Sequence, residues 1–456
     1  MSLANDTDNP LHRCNYKLYF INYPAKINVV INNTIKRTIL EEIRRDIRRE
    51  EVAFLIGPRQ AGKTTIMNIV QGELAAAGEK TLFLSLDYDL DRPHFASQQS
   101  LRKKIELEIG GGPGFVFLDE IQRRENAGLF LKGMQDLGLP YKFIASGSGS
   151  VDLKAKIKES MLGRKRVYEV YPLSLREFVD FRTGYRYSDR LPDFFALEKT
   201  RSEDLLLEYL NYGGYPRVVL EAEAREKLRV MDEIYQGYIT RDIAYLLKVE
   251  KIDAYGQLVK TLADQAGKLV NYSELATTLG ISLPTVRNYF WYAEETYILR
   301  RITPFFRNIR TEISKSPSVY FSDLGFRNYS LGVLGHVQRP EDLGFAFQNL
   351  VYLILREKLR WSGAKVHFWR TKSKTEIDFV VDTGRSVVPI EVKYKELTKP
   401  APPRAMDGFI EKYRPARCLV VNRSLRDTVR LRDTEVRFMT IWDLLFGELD
   451  TEWKAP

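Results

Sequence analysis

The segment FLIGPRQAGKTTIM, residues 54–67, constrains this chain more than any other stretch. Gly57 and Gly62 flank Pro58, Arg59, Gln60 and Ala61, and Lys63, Thr64 and Thr65 follow at once. This is the spacing G-x-x-x-x-G-K-[ST], which suits a loop whose backbone N–H groups turn inward onto phosphate oxygens. In such a loop Lys63 reaches the β- and γ-phosphates and the Thr64 hydroxyl ligates Mg²⁺. The flanks fit. EVAFLI before the loop reads as a buried strand. KTTIMNIVQGEL after it reads as a helix whose N-terminus adds its positive dipole end to the site.

A second motif agrees with the first. GFVFLDEIQ, residues 114–122, is an apolar strand that ends in Asp119 and Glu120. Beside a phosphate loop, Asp119 is expected to hold Mg²⁺ and Glu120 to act as general base on the attacking water. The plainer alternative is a buried strand closed by a solvated acidic turn. The two motifs together predict a P-loop NTPase that binds ATP with Mg²⁺ and hydrolyses it.

The length, 456 residues, predicts about three domains. A net charge of +10 favours a polyanionic partner, part of which the nucleotide itself accounts for. With only Cys14 and Cys418, no disulfide framework is possible beyond one long-range bridge, which fits a reducing compartment. His12, His94, His336 and His367 are scattered, against a histidine metal site. No apolar run is long enough to span a membrane, and MSLANDTDNP has no signal-peptide core, so a cytoplasmic chain is expected.

Ile35, Ile39, Ile43 and Ile47 form an amphipathic helical stripe. Strands at 51–56, 80–87, 114–119, 141–146 and 166–173 then alternate with helices, a rhythm that predicts a mostly parallel sheet. A mainly helical stretch covers about 174–250. In residues 271–303, Ser273 is expected to cap a helix that ends at Gly280, and Ser282 to cap the next, with Pro284 in its first turn. Helix, tight turn, helix and strand predict a winged helix-turn-helix. Thr285, Arg287 and Asn288, with Lys268, Arg300, Arg301, Arg307 and Arg310 around them, suit a face for duplex DNA. The alternative is a packing module, which the run YFWY (289–292) supports as readily as base stacking. The predicted division is a leader (1–34), a P-loop domain (35–180), a helical lid region (181–252), a winged helix (253–310) and a C-terminal α/β domain (311–456).

The ordered motifs resemble the prokaryotic AAA-like ATPases that carry a C-terminal domain of unknown function and nuclease-like appearance. The resemblance runs from about 35 to 445. It implies that IASGSGS (144–150) is a sensor segment with Ser146 near the γ-phosphate. It also implies an arginine finger in LGRKRVYEVYPLSLREF, at Arg164 or, less directly, Arg166. In GGYP (213–216) it implies that Pro216 sits at the nucleotide base. A turn in which Gly213 and Gly214 end a helix explains the same residues.

TEIDFVVDTGRSVVPIEVKY, residues 375–394, predicts a hairpin with a two-residue type II′ loop at Gly384-Arg385. That register sets Asp378 opposite Glu391 and Glu376 opposite Lys393, all four on one face, with the apolar set on the other. Opposed carboxylates repel, and a second Mg²⁺ or a Mn²⁺ would offset this. Asp…Glu-x-Lys on a hairpin resembles the catalytic core of restriction-type nucleases, which implies a restriction-endonuclease-like domain. One departure is Gln348, where the resemblance leads one to expect a helix glutamate. Three readings stand: a metal-dependent nuclease at Asp378, Glu391 and Lys393; a degenerate nuclease fold that binds nucleic acid or a partner; or a surface ladder with a Glu376–Lys393 ion pair.

Overall fold

The structure, a computed structural model, describes residues 34–148, 161–239, 252–306 and 316–447. Its first sheet contains β1 (Val52–Gly57), β2 (Thr81–Ser85), β3 (Gly114–Asp119), β4 (Tyr141–Ser148) and β5 (Lys165–Glu169). All neighbours are parallel, in the order β2-β3-β4-β1-β5. Alternate residues of each strand feed two apolar layers. Phe54 and Val116 pack on one face, and Leu55 and Phe117 on the other. Most of the isoleucine stripe covers the second face: Ile39 and Ile43 of α1 (Ile39–Asp46) and Ile47 at its end are buried there, while Ile35 packs in the core of the C-terminal sheet. Parallel strands buried on both faces need such continuous apolar runs.

The topology positions the site. Because β4 inserts between β1 and β3, the loop that follows β1 and the acids that end β3 flank one intervening strand. Gly57 owes its place to crowding: a Cβ there would lie 2.0 Å from the Val170 carbonyl oxygen. Gly62 owes its place to φ +94°, in the left-handed region.

Helices Leu175–Arg182, Leu191–Leu197 and Lys199–Tyr212 follow. Their apolar sides share one core with the C-terminal sheet; the Phe195 and Trp442 rings stack with centroids 3.8 Å apart. A separate core unites residues between Tyr215 and Leu334 and runs across the expected boundary at 252/253. Inside it, helices Tyr272–Leu279 and Leu283–Glu295 are joined through Gly280, at φ +61°. The cap of the first helix differs from expectation. Asn271, not Ser273, is the N-cap, and its side chain accepts from the Ser273 and Glu274 amides. Ser282 caps the second helix as expected. β6 (Leu299–Ile302) then pairs antiparallel with β7 (Ser318–Phe321).

The C-terminal sheet is mixed. It contains β8 (Lys365–Arg370), β9 (Glu376–Asp382), β10 (Val387–Val392), β11 (Arg417–Asn422), β12 (Asp427–Leu431) and β13 (Thr434–Thr440), in the order β12-β13-β11-β10-β9-β8. The long helix Pro340–Lys358 packs on it. Among the described residues, no helix is long and apolar enough to cross a membrane.

Candidate nucleotide site and acidic hairpin site

At the C-terminal edge of the first sheet, Thr64 Oγ1 donates to Asp119 Oδ2 at 2.9 Å. Ser146, fully buried on β4, donates from Oγ to the other carboxylate oxygen, Asp119 Oδ1. The Ser146 hydroxyl also accepts from the Glu120 amide at 3.3 Å. One serine therefore holds the Asp119 carboxylate and the Glu120 backbone. Lys63 is buried at the base of the loop, and its Nζ donates to the carbonyls of Gly57 (3.1 Å) and Pro58 (2.7 Å). Glu120 sits at φ +56°, an uncommon conformation for a non-glycine residue and one found at functional sites. Burial pushes its carboxyl above the ordinary range and the Asp119 charge adds to this, while Lys63 and a hydrogen bond from Gln122 oppose it.

Pro216 opens the helix Pro216–Leu220 beside the loop; its Cγ lies 3.9 Å from where a Gly62 Cβ would stand. Gly213 and Gly214 also make the turn the plainer reading asks for. A Cβ at Gly213 would meet the Gly325 amide at 2.4 Å, and one at Gly214 the Leu173 carbonyl at 2.2 Å. The Gln60 side chain at the loop tip accepts from Arg217 at 3.0 Å. The sequence did not single out Arg37. Its guanidinium donates to Ala61 O in the loop at 2.8 Å, and its partner Glu177 lies 140 residues away.

Arg164 is not brought to this site. It precedes β5, and the pairing Val52↔Lys165 sets it at the N-terminal end of β1. The length of β1, roughly 17 Å, separates that end from the loop. There Arg164 pairs with Asp136, and Arg166 with buried Asp46 at 2.7 Å. Within one chain, neither reaches the phosphates expected at Lys63.

On the helix pair, Arg287 and Asn288 are exposed. Arg301 is held by Glu294 at 3.2 Å, Arg300 lies over the Tyr297 ring near Glu169, and Lys268 over the Phe345 ring. Arg307 and Arg310 lie outside the described residues. The aromatic run divides: Tyr289 and Phe290 are buried in the core, while Trp291 is exposed.

The hairpin has the expected register. Val387↔Asp382 continues to Ile390↔Phe379, and Gly384 turns at φ +80°. The strict alternation does not hold. The β8 pairing shifts between His367 and Trp369, and Ile377 packs in the Val380 cluster rather than with Phe379. The Glu376–Lys393 pair is replaced: Glu376 accepts from Arg370 at 2.9 Å, across the β8 pairing. Lys393 donates instead to Glu391 Oε1 at 2.6 Å.

Asp378 spends both oxygens on protein donors, Gln348 Nε2 at 2.9 Å and the Val392 amide at 2.7 Å. Glu391 Oε2 is buried and unpartnered. Burial and then the Glu391 charge hold the Asp378 carboxyl well above its ordinary range, with Lys393 opposing. Burial would lower the Lys393 pKa, but the Glu391 charge and hydrogen bond outweigh it and raise it. Among the described residues, no group of three or more His, Cys, Asp or Glu stands together to hold a metal ion.

Residues 49–179 match the family described as AAA domain. This segment is a P-loop, AAA-type ATPase-like domain. Residues 203–336 match a domain of unknown function, DUF8612, and residues 343–444 match another, DUF4143. An uncharacterized protein of Mycobacterium tuberculosis is 27% identical over 377 residues, 82% of this chain and 76% of that protein. One of Methanocaldococcus jannaschii is 24% identical over 353 residues, 76% of this chain and 75% of that protein. A solved structure of the replication initiator DnaA bound to AMPPCP and single-stranded DNA overlaps 56% of this chain and 86% of its own, at 15% identity and a TM-score of 0.24.

Proposed function

We propose that the chain is a Mg²⁺-dependent ATPase whose nucleotide cycle acts on a DNA-contacting helix pair and on a nuclease-like C-terminal domain that does not cut. The contact of Thr64 with Asp119 carries the ATPase reading, because it joins the loop hydroxyl and the strand-end carboxylate at one point. The residues fit the expected ligands. Gly57 to Thr65 would hold the phosphates with their backbone N–H groups and Lys63, and Pro216 would border the nucleotide. Thr64 and Asp119 would hold Mg²⁺, which neutralises phosphate charge when bound. Glu120 takes the proton of the attacking water, and its raised pKa makes it a stronger base than an ordinary glutamate. Ser146 keeps Asp119 and the Glu120 backbone in place. Arg164 and Arg166 take no part in this site within one chain.

For the C-terminal domain, the occupied oxygens of Asp378 support the non-cutting reading over a site for a second Mg²⁺ or Mn²⁺. For the helix pair, read as a winged helix, exposed Arg287 and Asn288 support contact with duplex DNA. One experiment separates these claims: ATP hydrolysis in Mg²⁺ with and without supercoiled plasmid, followed by a gel. The expected result is hydrolysis stimulated by DNA, with the plasmid intact. No hydrolysis would overturn the ATPase reading, and nicking would restore the nuclease.

A further inference from the structure

Arg37 precedes α1, is largely buried, and donates in three directions. Nη1 donates to Ala61 O of the phosphate loop (2.8 Å), Nη2 to Tyr171 O (2.6 Å) and Nε to Glu177 Oε1 (3.2 Å). Glu177 is itself fixed by the Thr38 amide (2.7 Å), the Thr38 hydroxyl (3.0 Å) and the Ser174 amide (3.0 Å). Tyr171 then meets the rest of the molecule. The Arg356 guanidinium, from the long C-terminal helix, lies 3.8 Å from its ring centroid. The Tyr297 ring, just before β6, meets it edge-on at 5.3 Å, and Arg300 reaches its hydroxyl at 3.5 Å. A cavity of about 300 Å³ opens beside this junction, lined in part by Arg37, Tyr171, Glu177 and Arg356.

We propose that Arg37 is a positioning residue that ties the phosphate loop to the C-terminal helix through Tyr171, so that nucleotide binding and the seating of that helix are coupled. The inference rests on the ATPase reading above. A planar guanidinium donates in fixed directions. If the Ala61 carbonyl moves as the loop closes on phosphate, Arg37 must follow or break a bond. Following it strains the Tyr171 and Glu177 bonds. The Tyr171 ring carries that strain to Arg356, and the adjacent cavity leaves space for the rings and guanidinium to take a second arrangement. Because coupling is reciprocal, a change at Arg356 must alter affinity at the loop.

A double-mutant cycle on the full chain tests this, read as the Kd of a fluorescent ADP analogue. Arg356→Gln removes the stacked cation without touching the loop. Arg37→Lys keeps a charge beside Glu177 but loses the planar fork. The expected result is that Arg356→Gln, by relieving the strain that loop closure puts on the Tyr171 ring, tightens binding roughly fivefold or more. In the Arg37→Lys background it should add less than about twofold. If Arg37→Lys fails to fold, Tyr171→Leu, which keeps the backbone carbonyl, takes its place in the cycle. An Arg356→Gln protein with wild-type Kd, or two effects that multiply, overturns the inference and leaves the ATPase reading intact. A wild-type chain that binds no nucleotide overturns both.

Discussion

Gln348 Nε2 donates to Asp378 Oδ1 at 2.9 Å and also to the Tyr320 hydroxyl at 3.0 Å. The long helix thus offers an amide N–H donor where a metal site would need an oxygen. The Gln348 carbonyl oxygen turns toward Gly267 instead, 2.9 Å from where its Cβ would stand. Two neutral donors orient the Asp378 carboxylate without a metal, while burial and the Glu391 charge still disfavour its ionised form.

Replacing that donor should therefore destabilise the domain. In Gln348→Glu a third carboxylate faces Asp378, whose carboxyl already titrates well above its ordinary range. The loss should be about 1–3 kcal/mol at neutral pH. The sign with pH follows from the raised Asp378 pKa. Stability is present in acid, where that carboxyl is protonated, and is lost as pH rises through its folded-state pKa. Denaturant melts at pH 5 and pH 8 check this: the mutant should lose more at pH 8.

Lys63→Ala removes the buried cation of the loop. Charge-assisted hydrogen bonds contribute about 1.5–3 kcal/mol, so ATP affinity should fall at least about tenfold. Calorimetric titration of ATP with Mg²⁺ into wild type and mutant measures it, and equal affinities would place the phosphates elsewhere.

Glu120→Gln should bind ATP as wild type does and lose turnover by about 10²–10⁴-fold. The wild-type kcat should rise with pH, because the base must be ionised to accept a proton. In kcat/KM, which reports the free enzyme, the raised pKa of Glu120 sets that acid limb above the usual glutamate range. A flat kcat profile across the acid range would remove Glu120 from the role.

Arg287→Ala should weaken binding to duplex DNA and flatten its salt dependence by about 0.9 log units per log unit of salt for each phosphate that is no longer neutralised. Arg301→Ala should leave the slope unchanged, because Glu294 already holds that guanidinium. Fluorescence anisotropy on a labelled duplex at several salt concentrations compares the two. A slope that depends on Arg301 and not on Arg287 would reverse the assignment.

What the sequence determined by itself is what local rules govern. The phosphate loop needs Gly62 at positive φ, which its fixed spacing signals, whereas the reason for Gly57, the close Val170 carbonyl, shows only in the fold. The buried strands show as apolar runs, the helix pair shows in Gly280 and the Ser282 cap, and the hairpin register follows from a two-residue turn with Gly384 first. The tertiary structure alone decided which groups meet across long stretches of chain. Arg37 finds Glu177 and the loop, Gln348 quenches Asp378, Arg300 and Arg301 find partners within the chain, and Arg164 falls at the far end of β1. Spacing in sequence carries no distance between residues a hundred positions apart. Strand order and layer packing set those distances, and with them whether a charge is free to act or already held.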